Sequence, residues 1–172
     1  MIDYRRLSRD EVEKIAEIDP REVGRLVYRC VDGEIVEEPE TWERPRWSDA
    51  GTRGHVESAR EILEQAGAVF GAFDERRLVG FATLLPELEP GLAQLQDMQV
   101  SRSRRRLGIA AHLVGEVLRG AREAGATRIY VSSCPSESAV GLYRSLGFEL
   151  AEEVHPALYE LEPEDIHMTL DL

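Results

Sequence analysis

Apolar residues recur at intervals of three and four from Gly108 to Ala124, where Ala110, Leu113, Val114, Val117, Leu118 and Ala121 share one helical face. Gly125 stops that helix. Before it, Leu92–Val100 is apolar-rich and of strand length; after it, Thr127–Ser132 is a β-branched strand. The centre of the chain therefore predicts strand, helix, strand. A second helix follows over Pro135–Leu146, closed by Gly147, then strands over Phe148–Ala151 and Ile166–Leu170. Between those two strands, Glu152–Asp165 is an acidic, proline-containing insertion.

The first half carries shorter signals. Ile2–Leu7 alternates as a strand. Ser8 and Glu11 form a capping box ahead of the helical stripe Val12, Ile15, Ala16 and Ile18, which Asp19-Pro20 ends. Leu26–Val31 and Glu34–Val36 flank Asp32-Gly33, a two-residue hairpin turn whose positions both need positive φ. Glu37–Gly54 reads as a proline-bearing acidic loop with Trp42 and Trp47, aromatics that either wall a pocket or pin the loop to the core. Val56–Ala66 predicts a helix ended by Gly67. Ala68–Phe73 and Leu78–Leu85 predict a second hairpin, with a turn over Pro86–Gly91. With no repeat and no linker, the 172 residues form one mixed α/β domain, antiparallel early and with one crossover late.

Composition narrows the class. A net charge of −12 argues against general nucleic-acid binding. No apolar run reaches membrane-spanning length, and Met1–Arg6 carries no signal-like segment. Cys30 and Cys134 have neither metal nor redox spacing and are expected to be buried, unreactive thiols of a cytoplasmic protein. His55, His112, His155 and His167 share no metal spacing, so no metal is implied.

Against that acidic background, four of the six residues from Ser101 to Arg106 are arginines. A helix starting near Leu107 presents backbone N–H groups with no helical partner, together with the positive end of its dipole. Gly108 and Ala110 are small enough for an anion to approach the backbone. The turn is either a diphosphate cradle or a solvated basic corner. Neither G-x-x-x-x-G-K-[ST] nor G-x-G-x-x-G is present, which excludes the two common phosphate loops.

Arg105-Arg106-Leu107-Gly108-Ile109-Ala110 resembles the [QR]-x-x-G-x-[GA] signature of the GNAT superfamily of N-acetyltransferases. Ser136–Phe148 resembles that family's N-x-x-A-x-x-L-Y-x-x-x-G-F segment, with Ser136 in place of asparagine. The resemblance covers Ala68–Phe148 well. It implies a central, mostly antiparallel sheet of six to seven strands, splayed where acetyl-CoA binds. It further implies acetyl-CoA as cosubstrate, its pyrophosphate held by Arg105, Arg106, Leu107, Gly108, Ile109 and Ala110. Met98, Gln99 and Val100 would pair with its pantetheine by main chain, with Ser136 nearby. Tyr143 would be the general acid to the CoA sulfur; from the helical stripe alone it reads first as a core tyrosine.

For a base, Asp97 lies on the strand near the thioester, with a structural carboxylate or a water relay as alternatives; Gln94 stands where some relatives carry glutamate. Residues 26–54 and 152–166 would be substrate-side insertions; their acidity either serves only as a solvated face or selects a cationic amine acceptor. A homodimer is compatible with the family. A catalytically silent acyl-CoA-binding domain is the second reading.

Overall fold

The computed structural model describes all 172 residues. The strands are β1 (Ile2–Arg6), β2 (Glu22–Val31), β3 (Glu34–Arg44), β4 (Ala68–Asp74), β5 (Arg77–Glu89), β6 (Leu92–Val100), β7 (Arg128–Ser133), β8 (Glu149–Leu150) and β9 (Ile166–Asp171). The helices are α1 (Asp49–Glu64), α2 (Ile109–Glu123), α3 (Glu137–Ser145) and α4 (Pro156–Leu161). Seven strands form one sheet in the order β1-β4-β5-β6-β7-β9-β8, and β2–β3 is a separate hairpin. Only β6 and β7 run parallel, joined by α2 as the crossover pattern predicts. The expected mixed sheet of six to seven strands is present. No helix is long and apolar enough to cross a membrane.

Both faces of the sheet are covered, which explains the continuous burial of β4 from Ala68 to Phe73. Successive side chains point to opposite faces. Phe70, Ala72, Val79, Ala82 and Leu84 pack in a core with Ile109, Leu113, Val114, Val117 and Ala121 of α2. Val69, Phe73, Leu78 and Phe81 pack in a second core with Val12, Ile15, Val56, Ala59 and Ile62. Gly120 lets α2 lie close to the sheet: a Cβ there would stand 2.9 Å from Leu84 Cδ2 and 3.2 Å from Phe70 Cζ.

Five sequence expectations change. Arg9–Glu17 keeps its Ser8–Glu11 capping box but winds as a 3-10 helix. The supposed loop from Glu37 is strand β3 as far as Arg44. Pro39 hid this strand, yet in a two-stranded sheet every residue lies on an edge and a missing N–H is tolerated there. Strand β5 continues through the expected turn to Glu89. Helix α1 starts seven residues early, at Asp49, because Ser48 Oγ accepts the Gly51 N–H at 3.1 Å as an N-cap. Finally, Cys30 is exposed, lying beside the Asp32-Gly33 turn at the tip of the β2–β3 hairpin; Cys134 is half-buried.

Candidate active site

The β6–β7 ladder contains only Leu92–Arg128, Ala93–Ile129 and Gln94–Tyr130. Beyond Gln94 and Tyr130 the strands separate, β6 staying with β5 and β7 with β9. The main chain of β6 from Leu95 onward faces an opening instead of a neighbouring strand. A bulge reinforces the divergence: Met98 pairs with Ala82 and Leu95 with Leu84, leaving Gln96 and Asp97 opposite Thr83 alone. The Asp97 N–H donates to Thr83 Oγ1 at 2.9 Å, fixing the bulge with a buried hydroxyl.

The opening is a cleft of about 1170 Å3. Met98–Val100, Ser136, Tyr143 and Asp97 all line it, as do Arg105, Arg106, Gly108, Ile109 and Ala110. Leu107 does not line it and is 64% exposed.

At one end lies the start of α2. Arg106 (φ 62°) and Gly108 (φ 78°) both adopt left-handed backbone. The first helical bond is from His112 N–H to Gly108 O at 3.0 Å, so the N–H groups of Ile109, Ala110 and Ala111 have no helical acceptor. A Cβ on Gly108 would meet nothing within 4 Å, so the space before these donors is open. This is the geometry of a backbone anion nest.

The arginines around the nest do different work. Arg105 turns inward, its Nε donating to Val100 O (3.1 Å) and its Nη2 to Pro20 O (3.0 Å), while Nη1 lies 3.2 Å from Glu22 Oε2. Burial pulls its pKa below the ordinary guanidinium value. Arg104 is paired with Asp74. Arg106 is exposed. Arg105→Ala should therefore lower stability by about 2 kcal/mol, leaving two carbonyls and a carboxylate without their donor. That corresponds to a drop of about 4–8 °C in melting temperature. Arg106→Ala should change stability by less than about 0.5 kcal/mol. Equal shifts in a thermal melt would contradict the division.

Helix α3 also borders the cleft. Ser136 caps it by accepting the Ala139 N–H at 3.3 Å, and Tyr28 N–H donates to Pro135 O at 2.8 Å, so the β2–β3 hairpin anchors the helix start. Tyr143 is 4% exposed, edge-on to Phe148 with ring centroids 5.3 Å apart. Burial, followed by the nearby Cys134 and Asp97, pushes the phenol well above its ordinary pKa, so it stays protonated. Burial likewise raises the Cys134 thiol, which Asp165, Glu162 and Asp97 raise further and Arg44 lowers.

Two groups lining the cleft were not foreseen as site residues. His55 lies 2.6 Å by Nδ1 from Asp97 Oδ2, and its ring lies 4.1 Å from that of Trp47. Predicting the helix only from Val56 left His55 outside any element; the Ser48 cap was the local signal that could have placed it in a helix. Trp42, by contrast, serves the hairpin, donating its indole N–H to Leu26 O at 2.9 Å.

Asp165 was read only as insertion. Its segment is held by a chain of hydrogen bonds. The His155 N–H donates to Tyr130 Oη (3.2 Å), which lies 2.8 Å from His167 Nδ1, while His167 Nε2 lies 3.1 Å from Glu162 O. A carbonyl only accepts, so Nε2 carries the proton and Nδ1 accepts from the tyrosine. Glu162 and Asp165 thereby line the cleft. Burial, then Glu162, raise the Asp165 carboxyl to about 6, with Arg44 opposing.

A raised carboxyl pKa means that the native state binds the extra proton between the unfolded value near 4 and about 6, so stability falls as pH rises through that window. Asp165→Asn removes the penalty. It should raise the melting temperature by about 2–4 °C at pH 8, on the order of 1 kcal/mol after allowing for solvent access. The gain should vanish below pH 4. A gain independent of pH would contradict the assignment.

No group of three or more His, Cys, Asp and Glu side chains converges to hold a metal ion. The profile of the acetyltransferase (GNAT) family matches residues 27–148. Human N-acetyltransferase 8B is 35% identical over 96 residues, covering 52% of this chain. The match spans 42% of that protein, less than half its length. Among solved structures, nourseothricin acetyltransferase superposes with a TM-score of 0.76 at 21% identity, covering 99% of this chain and 98% of its own. A putative streptothricin acetyltransferase from Bacillus anthracis, in complex with acetyl coenzyme A, gives 0.76 at 16% identity, covering 100% and 99%. These two show a shared fold. With the profile spanning well over half the residues, from the hairpin through the splayed strands to Phe148, the chain belongs to the GNAT acetyltransferase family.

Proposed function

We propose that this chain transfers an acetyl group from acetyl-CoA to a primary amine by direct attack in a ternary complex, with Tyr143 as general acid. The observation that carries the reading is a single cleft lined by both an anion nest and a protonated, buried tyrosine. The residues suit the ligand. The open space before Gly108 and the unpartnered N–H groups after it match a pyrophosphate. The β6 main chain from Met98 to Val100, paired with β5 on one side and with no strand on the other, supplies edge groups for an amide-bearing arm. Ser136 stands beside that arm at the α3 cap.

In the reaction the amine lone pair forms a bond to the thioester carbonyl carbon, and the carbon–sulfur bond breaks. The sulfur takes the proton from Tyr143 Oη, and the nitrogen gives up its own. Main-chain N–H groups on the splayed part of β6 are suited to stabilise charge developing on the carbonyl oxygen.

The acceptor is argued from charge. Asp97, Glu162 and Asp165 surround the part of the cleft that holds Cys134 and Tyr143. A carboxylate held half-desolvated there at a cost in stability favours a bound cation. Polyamines, aminoglycoside-like amines and lysine or N-terminal amines of peptides are the acceptors this predicts. A thiol-release assay with acetyl-CoA across an amine panel should show turnover concentrated among dicationic and polycationic amines. Turnover confined to neutral or acidic acceptors would overturn the acceptor class. Acetyl-CoA binding without thiol release on any amine would favour the silent binding domain.

A further inference from the structure

The geometry points to His55 as the general base that takes the proton from the acceptor amine, with Asp97 holding its tautomer and Trp47 its orientation. This rests on the acetyl-transfer reading above.

Asp97 is a carboxylate and can only accept, so a 2.6 Å contact to His55 Nδ1 places the imidazole proton on Nδ1. The lone pair is then on Nε2, the nitrogen available to the cleft. The orientation is fixed on three sides. The Asp97 main chain is locked to Thr83 through its N–H, at 2.9 Å, on a bulge that re-aims the side chain. The Trp47 ring covers one side of the imidazole. Helix α1 carries the histidine near its capped start. An Asp–His pair so arranged fixes the tautomer and holds the free nitrogen in one direction.

Helix α1 meets the cleft with Gly51, Gly54, His55 and Ser58, positions spaced three and four apart on one face. Three of the four are small, and a Cβ on Gly54 would meet nothing within 4 Å. The face is a trough with room for an acceptor, in which His55 is the one strong proton acceptor. Tyr143, Asp97 and His55 line the same cleft. Acid and base therefore border one reaction volume. The amine proton goes to His55 Nε2, the sulfur takes the Tyr143 proton, and solvent returns the proton from imidazolium to phenolate, so the cycle balances. In this arrangement Asp97 is a positioning residue.

The test is steady-state kinetics on the full chain with a cationic amine found active for the wild type, alongside calorimetry of acetyl-CoA. His55→Gln should lower kcat about 100-fold or more with the acetyl-CoA Kd unchanged. Added imidazole should restore part of the turnover of His55→Ala, which a merely structural histidine would not allow. Asp97→Asn should lower kcat roughly 10- to 100-fold with little change in KM. Gly54→Leu, a change that favours the helix, should raise the amine KM at least tenfold and leave the acetyl-CoA Kd alone. A His55→Gln enzyme within about threefold of wild type would overturn the base assignment while the acetyl-transfer reading stands. An unchanged amine KM in Gly54→Leu would overturn the trough, and with it the placement of the amine before His55. A wild type that releases no thiol on any amine would overturn both readings.

Discussion

Tyr143→Phe should lower kcat by about 100- to 1000-fold while the chain still folds and binds acetyl-CoA with near wild-type affinity. The substitution removes one oxygen from a ring that packs edge-on to Phe148, and phenylalanine keeps that contact. What is lost is the proton for the departing sulfur. Burial holds the phenol protonated, so the wild type does not lose its acid as pH rises through the range where amines become neutral. A variant with normal turnover would make Tyr143 a core residue of α3 and nothing more, which its helical stripe also permits. Parallel losses in binding and turnover would indicate a collapsed cleft; unchanged calorimetry beside a lost rate is the expected signature.

The second large effect is expected at Gly108. Gly108→Asp should weaken acetyl-CoA binding about 100-fold, equivalent to about 2.7 kcal/mol by calorimetry. Its φ of 78° is left-handed, a region that aspartate tolerates better than most residues, so the backbone cost is on the order of 1 kcal/mol. A Cβ there clashes with nothing, and the carboxylate occupies the mouth of the nest. It competes for the N–H groups of Ile109 to Ala111 and repels a diphosphate. Gly108→Ala adds bulk without charge and should cost far less. Undiminished affinity in the aspartate variant would move the phosphate site away from α2.

The fold was legible where one side chain pattern answered to one surface. On α2, Leu113, Val114, Val117 and Ala121 are fully buried as their spacing predicts, because the helix meets the sheet along a single face. The Asp32-Gly33 turn was legible because only a few residue types adopt left-handed φ, and both do so here, at 51° and 79°. Strand β3 beyond Val36 was not, because Glu37–Arg44 is mostly polar and gives no alternation to detect.

The site divides in the same way. The proposed cradle is local in sequence, a short run from Arg105 to Ala110; its residue types alone left a solvated basic corner equally open, and the resemblance to the family signature pointed to a phosphate. The roles of its arginines are not local, since Arg105 finds its partners at Pro20 and Glu22, far back in the chain. The His55–Asp97 pair joins residues 42 apart through a sheet bulge that no local pattern announces.

Calorimetric titration of the purified chain with acetyl-CoA, beside S-acetylpantetheine, the same thioester without the phosphoadenosine diphosphate portion, separates the contribution of the nest from that of the rest of the cleft. The splayed cleft with its nest at Gly108 predicts saturable binding of one acetyl-CoA per chain, and affinity at least tenfold weaker when the adenosine diphosphate portion is missing. No saturable binding at millimolar acetyl-CoA, or equal affinity for the two thioesters, would contradict it.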